Sequence, residues 1–254
     1  MSEGALGRWI PLESNPDVFN SWAQKVGVLT KRAYFVDIYA LDEEMLAIVP
    51  KPVKAVILLF PIEETGEAER KVEDERIKSE GNAKIDDTIF WVKQTISNAC
   101  GTIGLIHALA NSGISFGPTS SLQKFIMECQ DKTPEERAKL LSTTPLFANI
   151  HAESANQGQT APHADTDLHF TCFVEAPEQD FRKIAREGQG EESGTESTGM
   201  RLIELDGRRN GPIDRGECND LLQDAAKFVK TRYMSKNTSV MFNLMALTTA
   251  TPEE

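Results

Sequence analysis

The segment Gln94-Thr-Ile-Ser-Asn-Ala-Cys100 and the apolar run Gly101–Ala110 behind it decide how this chain is interpreted. The run predicts a buried helix, and Asn98 would cap it and place Cys100 in its first turn. The positive end of a helix lowers the pKa of a thiol, and the amide of Gln94 lies six residues upstream. A thiolate beside an amide donor is what a cysteine acyl-transfer enzyme requires. The alternative is an inert thiol in a core helix and a surface glutamine.

A cysteine nucleophile also needs a base, and the chain has four histidines that could serve. His107 lies on the same predicted helix, roughly 10 Å beyond Cys100 along its axis, which is too far for a hydrogen bond. His151 and His163 lie in a polar segment, where they are either exposed or structural. His169 begins a predicted strand, which gives it the fixed position that a base requires.

Strand geometry suggests the group that orients His169. Leu168–Val174 and Met200–Leu205 are predicted strands, and if they pair antiparallel, the start of the first faces the end of the second. His169 then lies beside Asp206. The low-complexity segment 177–199 becomes a flexible insert at the far end of this hairpin, roughly 20 Å from His169 at about 3.3 Å per residue. The alternative for Asp206 and the glycine after it is an ordinary turn.

The rest of the sequence predicts a single domain over residues 1–254 that mixes helices and strands. Helix starts are indicated at Asn15-Pro16, at Asp42 and at the capping box Thr133–Glu136, and Gly27 ends the first of these helices. A further helix is predicted over 221–233, and strands are predicted over 53–62 and 240–247. The mixed-charge run 63–81 is a solvated helix or a loose connection, and the polar stretch 148–167 is a long loop. Because the elements follow no regular βαβ repeat, the predicted fold class is α+β.

Composition excludes several functions. The net charge of −12 disfavours a nucleic-acid partner, because phosphate binding needs a basic face. The longest apolar run, Ala55–Phe60, is too short to span a bilayer, and the N-terminus has no signal-peptide pattern. Without CxxC spacing, the four cysteines predict reduced thiols and no metal site: Cys100, Cys129, Cys172 and Cys218. We expect a cytoplasmic or nuclear monomer that needs no cofactor or metal and binds neither membranes nor nucleic acid.

Five segments together resemble a known family: Arg8–Pro16, Lys54–Pro61, Lys93–His107, Leu168–Phe170 and Leu202–Arg208. They are similar to motifs of the ubiquitin carboxy-terminal hydrolases, the papain-like cysteine deubiquitinases, and most closely to the short forms without a C-terminal extension. The resemblance covers nearly the whole chain. The main departure is the insert at 177–199, where the short forms have a tight connection.

The resemblance implies a role for each candidate residue. Cys100 would be the nucleophile, His169 the general base and later the acid, Asp206 the orienting carboxylate and Gln94 the donor of the oxyanion hole. It further implies an antiparallel sheet between helices with a knotted backbone. The segment 148–167 would be the crossover loop over the active site, which restricts substrates to small or unstructured leaving groups.

An acidic surface suits the basic, extended tail of ubiquitin. The candidates for contacting it are Glu13 and Asp37 by resemblance, Asp165 and Asp167 from the loop, and Leu12 and Leu168 as apolar contacts. Each also has an interpretation as a solvated acid or a core leucine, since charges at the rim of an interface often contribute little.

Three functional hypotheses follow from the sequence. The first is a deubiquitinating thiol hydrolase, acting on ubiquitin or a close relative such as the neural-precursor-type modifier. The second is a catalytically idle ubiquitin-binding protein of the same fold, which the presence of all four catalytic residue types disfavours. The third is a thiol acyltransferase with another substrate, which the resemblance at the N-terminal segment disfavours.

Overall fold

The computed structural model of the chain describes residues 8–81, 85–159, 166–178, 199–235 and 239–250. The helices are α1 Pro16–Lys25, α2 Glu43–Ala47, α3 Glu64–Glu80, α4 Cys100–Asn111, α5 Ser121–Glu128, α6 Pro134–Thr143, α7 Pro145–Ala155 and α8 Leu221–Val229, which continues into the π-helical turn Lys230–Met234. The strands are β1 Ala33–Ile38, β2 Val53–Pro61, β3 Leu168–Pro177, β4 Met200–Leu205, β5 Ile213–Glu217 and β6 Asn243–Thr249.

The six strands form one sheet in the order β1-β6-β2-β3-β4-β5, and every neighbouring pair is antiparallel. Both faces of the sheet are covered by helices. Ile57 of β2 belongs to the core shared with α1, α4, α5 and α7, whereas Val56 and Leu58 belong to the core shared with α2 and α8. The predicted α+β class with a central antiparallel sheet is therefore confirmed. The knotted backbone stays a prediction.

The predicted helix starts are confirmed by their caps. Asn15 accepts a hydrogen bond from the backbone N–H of Asp17 at 2.8 Å, which satisfies a free donor at the start of α1. Thr133 and Glu136 form the reciprocal capping box of α6. The backbone after α1 turns at Gly27, whose φ of +96° favours glycine.

The prediction of a long loop over 148–167 is wrong in its first half, where α7 extends to Ala155. The buried side chains have helical spacing, but two of them are polar, so the hydrophobic pattern does not indicate a helix. The buried residues are Phe147, Ile150, His151 and Ser154. His163 and Asp165 lie outside the described residues.

Other boundaries also differ from the prediction. Strand β6 begins at Asn243 rather than at 240, because Val240 and Met241 are exposed beyond the edge of the sheet. Helix α5 and strand β5 were not predicted at all. Within β5 one residue of five, Ile213, is buried, and the strand contains Gly216, so neither hydrophobic alternation nor β propensity marks it.

Two expected absences can be compared with the described part of the chain. No helix there is long and apolar enough to cross a membrane. The same residues contain no group of three or more His, Cys, Asp or Glu side chains arranged to hold a metal ion.

Candidate active site

Cys100 is the first residue of α4, as the sequence predicts. The prediction that Asn98 caps this helix is wrong, because Ala99 occupies the N-cap position. Asn98 adopts a φ of +63°, and its side-chain amide donates to the backbone oxygen of Trp9 at 3.0 Å. This hydrogen bond fastens the loop before Cys100 to the N-terminal segment.

Small residues let other elements approach the first turns of α4 closely. A Cβ added to Gly101 would lie 3.0 Å from the Cβ of Leu12, and one added to Gly104 would lie 3.8 Å from the Cβ of Phe170. The Phe170 contact brings β3 against the helix that carries Cys100. The residue before Phe170, His169, forms a hydrogen bond with Cys100 at the start of α4.

The predicted pairing of β3 with β4 is confirmed, and it places His169 beside Asp206. The strands are antiparallel with Cys172 opposite Leu205. His169 Nε2 lies 2.7 Å from Asp206 Oδ1, and both side chains are buried. The other ring nitrogen, Nδ1, is left for the hydrogen bond between His169 and Cys100. A thiol, an imidazole and a carboxylate are therefore linked in that order.

The charges of these groups support one another. Burial disfavours the thiolate of Cys100. The hydrogen bond and charge of His169, together with hydrogen bonds from the backbone N–H groups of Phe170 and Gly101, outweigh this effect and lower the pKa of Cys100. Burial likewise opposes charging of His169, yet Asp206 and Cys100 raise its pKa above the ordinary value. Both shifts favour a thiolate–imidazolium pair between Cys100 and His169.

Asp206 stays ionised for a related reason. Its burial favours the neutral acid, but His169 and the backbone N–H of Arg208, 2.8 Å from Oδ1, lower the pKa of Asp206 to about 2. The backbone at this position is also clamped, because Trp91 Nε1 donates to the Asp206 carbonyl at 3.2 Å. The carboxylate thus has a fixed charge and a fixed position.

Gln94 lies beside this strand end. Its backbone N–H donates to the carbonyl of Gly207 at 2.8 Å. Its side chain is held by a bond from Nε2 to the Ile96 carbonyl at 3.2 Å, and its Oε1 is buried. The predicted amide donor is therefore attached to the element that carries Asp206, which its position in the sequence alone does not show.

His107 and His151 have structural roles in the core. His107 accepts from the Val92 N–H at 3.0 Å and its Nδ1 lies 3.2 Å from the Leu205 carbonyl, while burial lowers its pKa to about 4. His151 is buried, with Nδ1 2.8 Å from Thr102 Oγ1. The prediction that His107 is a packed helix residue is confirmed.

The residues predicted to contact a partner lie on several different elements. Glu13 is half-buried and accepts from Asn15 Nδ2 at 3.1 Å. Asp37 is half-buried in an open groove that also contains Asp17, Asp42 and Lys230. This groove therefore has more acidic than basic side chains. Its acidic character agrees with a basic partner.

The remaining partner candidates differ in exposure. Asp167 is exposed, and its carbonyl accepts from the Ile62 N–H at 2.6 Å. Leu168 is half-buried at the start of β3, opposite Pro61. Leu12 is 4% exposed and packs in the core against Gly101. Asp165 lies outside the described residues, and the binding role of all six stays a prediction.

A cysteine at a helix start that contacts a histidine on a sheet, itself paired with an aspartate, defines a cysteine hydrolase. Comparison with known proteins gives the family. The sequence model of the ubiquitin carboxyl-terminal hydrolases, family 1, matches residues 9–235. This chain belongs to that family, and it is an enzyme of the cysteine hydrolase class.

Relatives match over nearly their whole length. The chain is 38% identical to ubiquitin carboxyl-terminal hydrolase 3 of Arabidopsis thaliana over 248 residues, which cover 96% of this chain and 95% of the relative. It is 33% identical to isozyme L1 of Rattus norvegicus over 241 residues, with coverage of 93% and 96%.

A solved structure shows the same fold. The catalytic domain of UCH37 from Trichinella spiralis, bound to ubiquitin vinyl methyl ester, aligns with a TM-score of 0.66 at 22% identity. The alignment covers 98% of this chain and 100% of that domain. The papain-like fold expected from the sequence is thereby confirmed.

Proposed function

We propose that this protein hydrolyses the bond that follows the C-terminal glycine of ubiquitin, with Cys100 as the nucleophile. The observation that carries the proposal is the linked arrangement of Cys100, His169 and Asp206 at the start of α4, with His169 Nε2 2.7 Å from Asp206 Oδ1. Family membership supports ubiquitin as the substrate, as does the ubiquitin derivative bound to the structurally similar UCH37 domain.

The chemistry follows from the charge state of the site. The Cys100 thiolate attacks the carbonyl carbon of the terminal glycine and forms a tetrahedral oxyanion. The His169 imidazolium gives its proton to the leaving amine, the C–N bond breaks, and a thioester remains on Cys100. His169, now neutral, takes a proton from water, whose oxygen attacks the thioester. The C–S bond then breaks with its electron pair on sulfur, ubiquitin leaves with a free C-terminal carboxyl group, and the thiolate–imidazolium pair is restored, while Asp206 stays ionised throughout.

The oxyanion needs hydrogen-bond donors that are already in place. We assign this role to the backbone N–H of Cys100 and the side-chain amide of Gln94. Nε2 of Gln94 has two hydrogens and gives one to the Ile96 carbonyl, so the second can serve the oxyanion. The bond from the Gln94 backbone to Gly207 supports the assignment, because it fixes the amide relative to Asp206.

Gly207 provides a test of this packing. A Cβ at this position would lie 3.0 Å from Gln94 Cβ and 3.0 Å from Ile103 Cγ2, so Gly207→Ala should push Gln94 and α4 away from β4. We expect kcat for a ubiquitin C-terminal amide to fall by roughly tenfold or more and unfolding to become easier by about 1–3 kcal/mol.

Steady-state kinetics and chemical unfolding of the purified variant measure both quantities. The matched control is Gly211→Ala in the same hairpin, where a Cβ would meet no described atom within 4 Å. If Gly207→Ala retains the kcat of the wild type, the close packing of Gln94 on Gly207 is not needed for catalysis.

We further propose that the enzyme prefers small or unstructured leaving groups. The segment between α7 and β3 leads directly into the strand that carries His169. Its first part is held close to the N-terminal segment, since a Cβ at Gly158 would lie 2.7 Å from Glu13 Oε2. Such a connection beside the site would restrict the passage of a folded conjugate.

The proposed activity is tested by kinetics on ubiquitin with a C-terminal fluorogenic amide, beside the neural-precursor-type modifier with the same group. We expect turnover of the ubiquitin substrate and slower release of ubiquitin from a folded conjugate. Binding of ubiquitin without turnover would favour the idle binding protein, and absence of binding would favour an acyltransferase with another substrate. The cytoplasmic or nuclear location and the monomeric state stay predictions.

The insert at 177–199 should be dispensable for catalysis. The Glu178 N–H donates to the Gly199 carbonyl at 2.8 Å, so the chain leaves and rejoins the hairpin at one place. That place is roughly 30 Å from His169 along β3, at about 3.3 Å per residue. Replacing residues 180–198 by Asn-Gly should leave kcat/KM for the ubiquitin amide within about twofold. A large loss of kcat/KM in a folded variant would mean that the insert contacts the site.

A further inference from the structure

Helix α3 is attached to the β4–β5 hairpin (residues 200–217) by charge rather than by an apolar face. None of its 17 residues, all of which are described, is buried. Three of its acids pair with arginines of the hairpin: Glu67 Oε2 is 2.7 Å from Arg208 Nη2, Asp74 Oδ1 is 2.6 Å from Arg209 Nε, and Glu73 Oε1 is 2.6 Å from Arg215 Nη1. The mixed-charge run that predicts a solvated helix therefore has one partnered face.

The pairing continues into the interior through Arg215. Its Nε lies 2.6 Å from Glu204 Oε2, and the two side chains are 8% and 1% exposed. The guanidinium also lies 5.0 Å above the ring of Phe228. Exposed ion pairs contribute little, but a buried charge that loses its partner is strongly unfavourable. Glu204 is therefore held firmly by β5 and, through Arg215, by α3.

The contact between Glu204 and Thr171 has the same cross-strand arrangement as the contact between Asp206 and His169, two residues away along each chain segment. On β4, Glu204 lies two residues before Asp206, and Thr171 lies two residues after His169 on β3. Thr171 Oγ1 donates to Glu204 Oε1 at 3.3 Å across the same diagonal that joins His169 to Asp206. The two contacts are thus consecutive cross-strand pairs on one face of the sheet.

A third donor to Glu204 comes from the π-helical turn. The hydroxyl of Tyr233 donates to Glu204 Oε1. Burial and the Glu204 charge raise the pKa of Tyr233, so the hydroxyl keeps its proton. The Glu204 carboxylate therefore receives hydrogen bonds from β3, β5 and the turn after α8.

We propose that Glu204 is a positioning residue for Asp206, fixing the end of β4 so that the Asp206 carboxylate meets His169 Nε2 at the right distance. The inference rests on the proposed role of Cys100, His169 and Asp206. Glu204 does not touch the reacting atoms. It acts through the backbone of β4, which ends at Leu205 directly before Asp206, and Arg215 and Tyr233 hold it in place.

The test compares Glu204→Gln with a matched control on the same hairpin. Asp214 pairs with Arg201 across β4 and β5, with Oδ2 2.9 Å from Nε, and has no bond to Thr171 or Tyr233 among the described contacts. We expect Glu204→Gln to lower kcat for the ubiquitin amide about tenfold at unchanged KM. We also expect it to move the pH dependence of Cys100 alkylation by iodoacetamide towards that of an unpaired thiol. Asp214→Asn should leave both within about twofold of the wild type.

The pH dependence separates positioning from simple loss of stability, because a structural role alone would change the melting temperature only. Wild-type kcat and a wild-type alkylation profile in Glu204→Gln would overturn the proposal. If that variant does not fold, Tyr233→Phe decides instead, with an expected loss in kcat of about threefold; an unchanged kcat and profile would again overturn it. Should the wild type fail to hydrolyse ubiquitin, the proposed function is wrong, and the alkylation profiles still decide the role of Glu204.

Discussion

Cys100→Ala should lower hydrolysis of a ubiquitin C-terminal amide by about a millionfold, because loss of the nucleophile removes the covalent route entirely. Alanine keeps the backbone N–H at the start of α4 and leaves the helix intact. The affinity for ubiquitin should therefore remain within about threefold of that of the wild type. Steady-state kinetics and calorimetric titration with ubiquitin measure the two effects separately.

The matched control for this variant is a second buried thiol. Burial raises the pKa of Cys218 to about 12, in contrast to the lowered pKa of Cys100. Cys218→Ala should keep wild-type kcat, since that thiol faces the core shared with α8. Substantial turnover in Cys100→Ala, or its loss in Cys218→Ala with an intact fold, would contradict the assignment.

His169→Ala should abolish turnover to a similar degree, on the order of 10⁴-fold or more. Without the imidazolium, burial of Cys100 is opposed only by the backbone N–H groups of Phe170 and Gly101, so the pKa of its thiol rises and less thiolate is present at neutral pH. The leaving amine also loses its proton donor. Ubiquitin affinity should change little, because His169 is 2% exposed and offers little surface to a partner.

The alkylation of Cys100 by iodoacetamide shows this change without any substrate. In the wild type the rate should fall much less between about pH 8 and about pH 6 than it does for an ordinary thiol, since His169 lowers the pKa of Cys100. In His169→Ala we expect the rate at about pH 6 to drop roughly 100-fold or more. His107→Gln, which removes a buried histidine on the same helix as Cys100, should keep the wild-type profile. A wild-type profile in His169→Ala would show that another group stabilises the thiolate.

The sequence predicts the centre of this site because two strands and one helix start determine it. Pairing of the strands at 168 and 200 follows from their order and hydrophobicity, and once they pair, the separation of His169 from Asp206 is set by strand geometry. Helix geometry likewise excludes His107. The helix caps at Asn15 and Thr133 involve only residues close together in the sequence, so they can be predicted without knowing the tertiary contacts.

The errors arise where distant contacts decide local structure. Asn98 has the residue type of a helix cap, but its amide donates to Trp9, 89 residues away. The part of α7 from 148 to Ala155 was missed because its buried face includes His151 and Ser154, whose polarity hides the helical spacing. Likewise, the charges of α3 are visible in the sequence, but the partner of Glu73 at Arg215 is 142 residues away, so its ion pair cannot be assigned from spacing.

The most direct test of the central claim is an intact mass measurement of the wild-type protein after incubation with ubiquitin vinyl methyl ester, followed by peptide mapping. The vinyl group reacts with a thiolate placed at the C-terminus of bound ubiquitin. We predict the addition of one ubiquitin per chain, attached to Cys100 and absent from Cys100→Ala. An adduct on Cys129, Cys172 or Cys218, or no adduct although ubiquitin binds, would contradict the account.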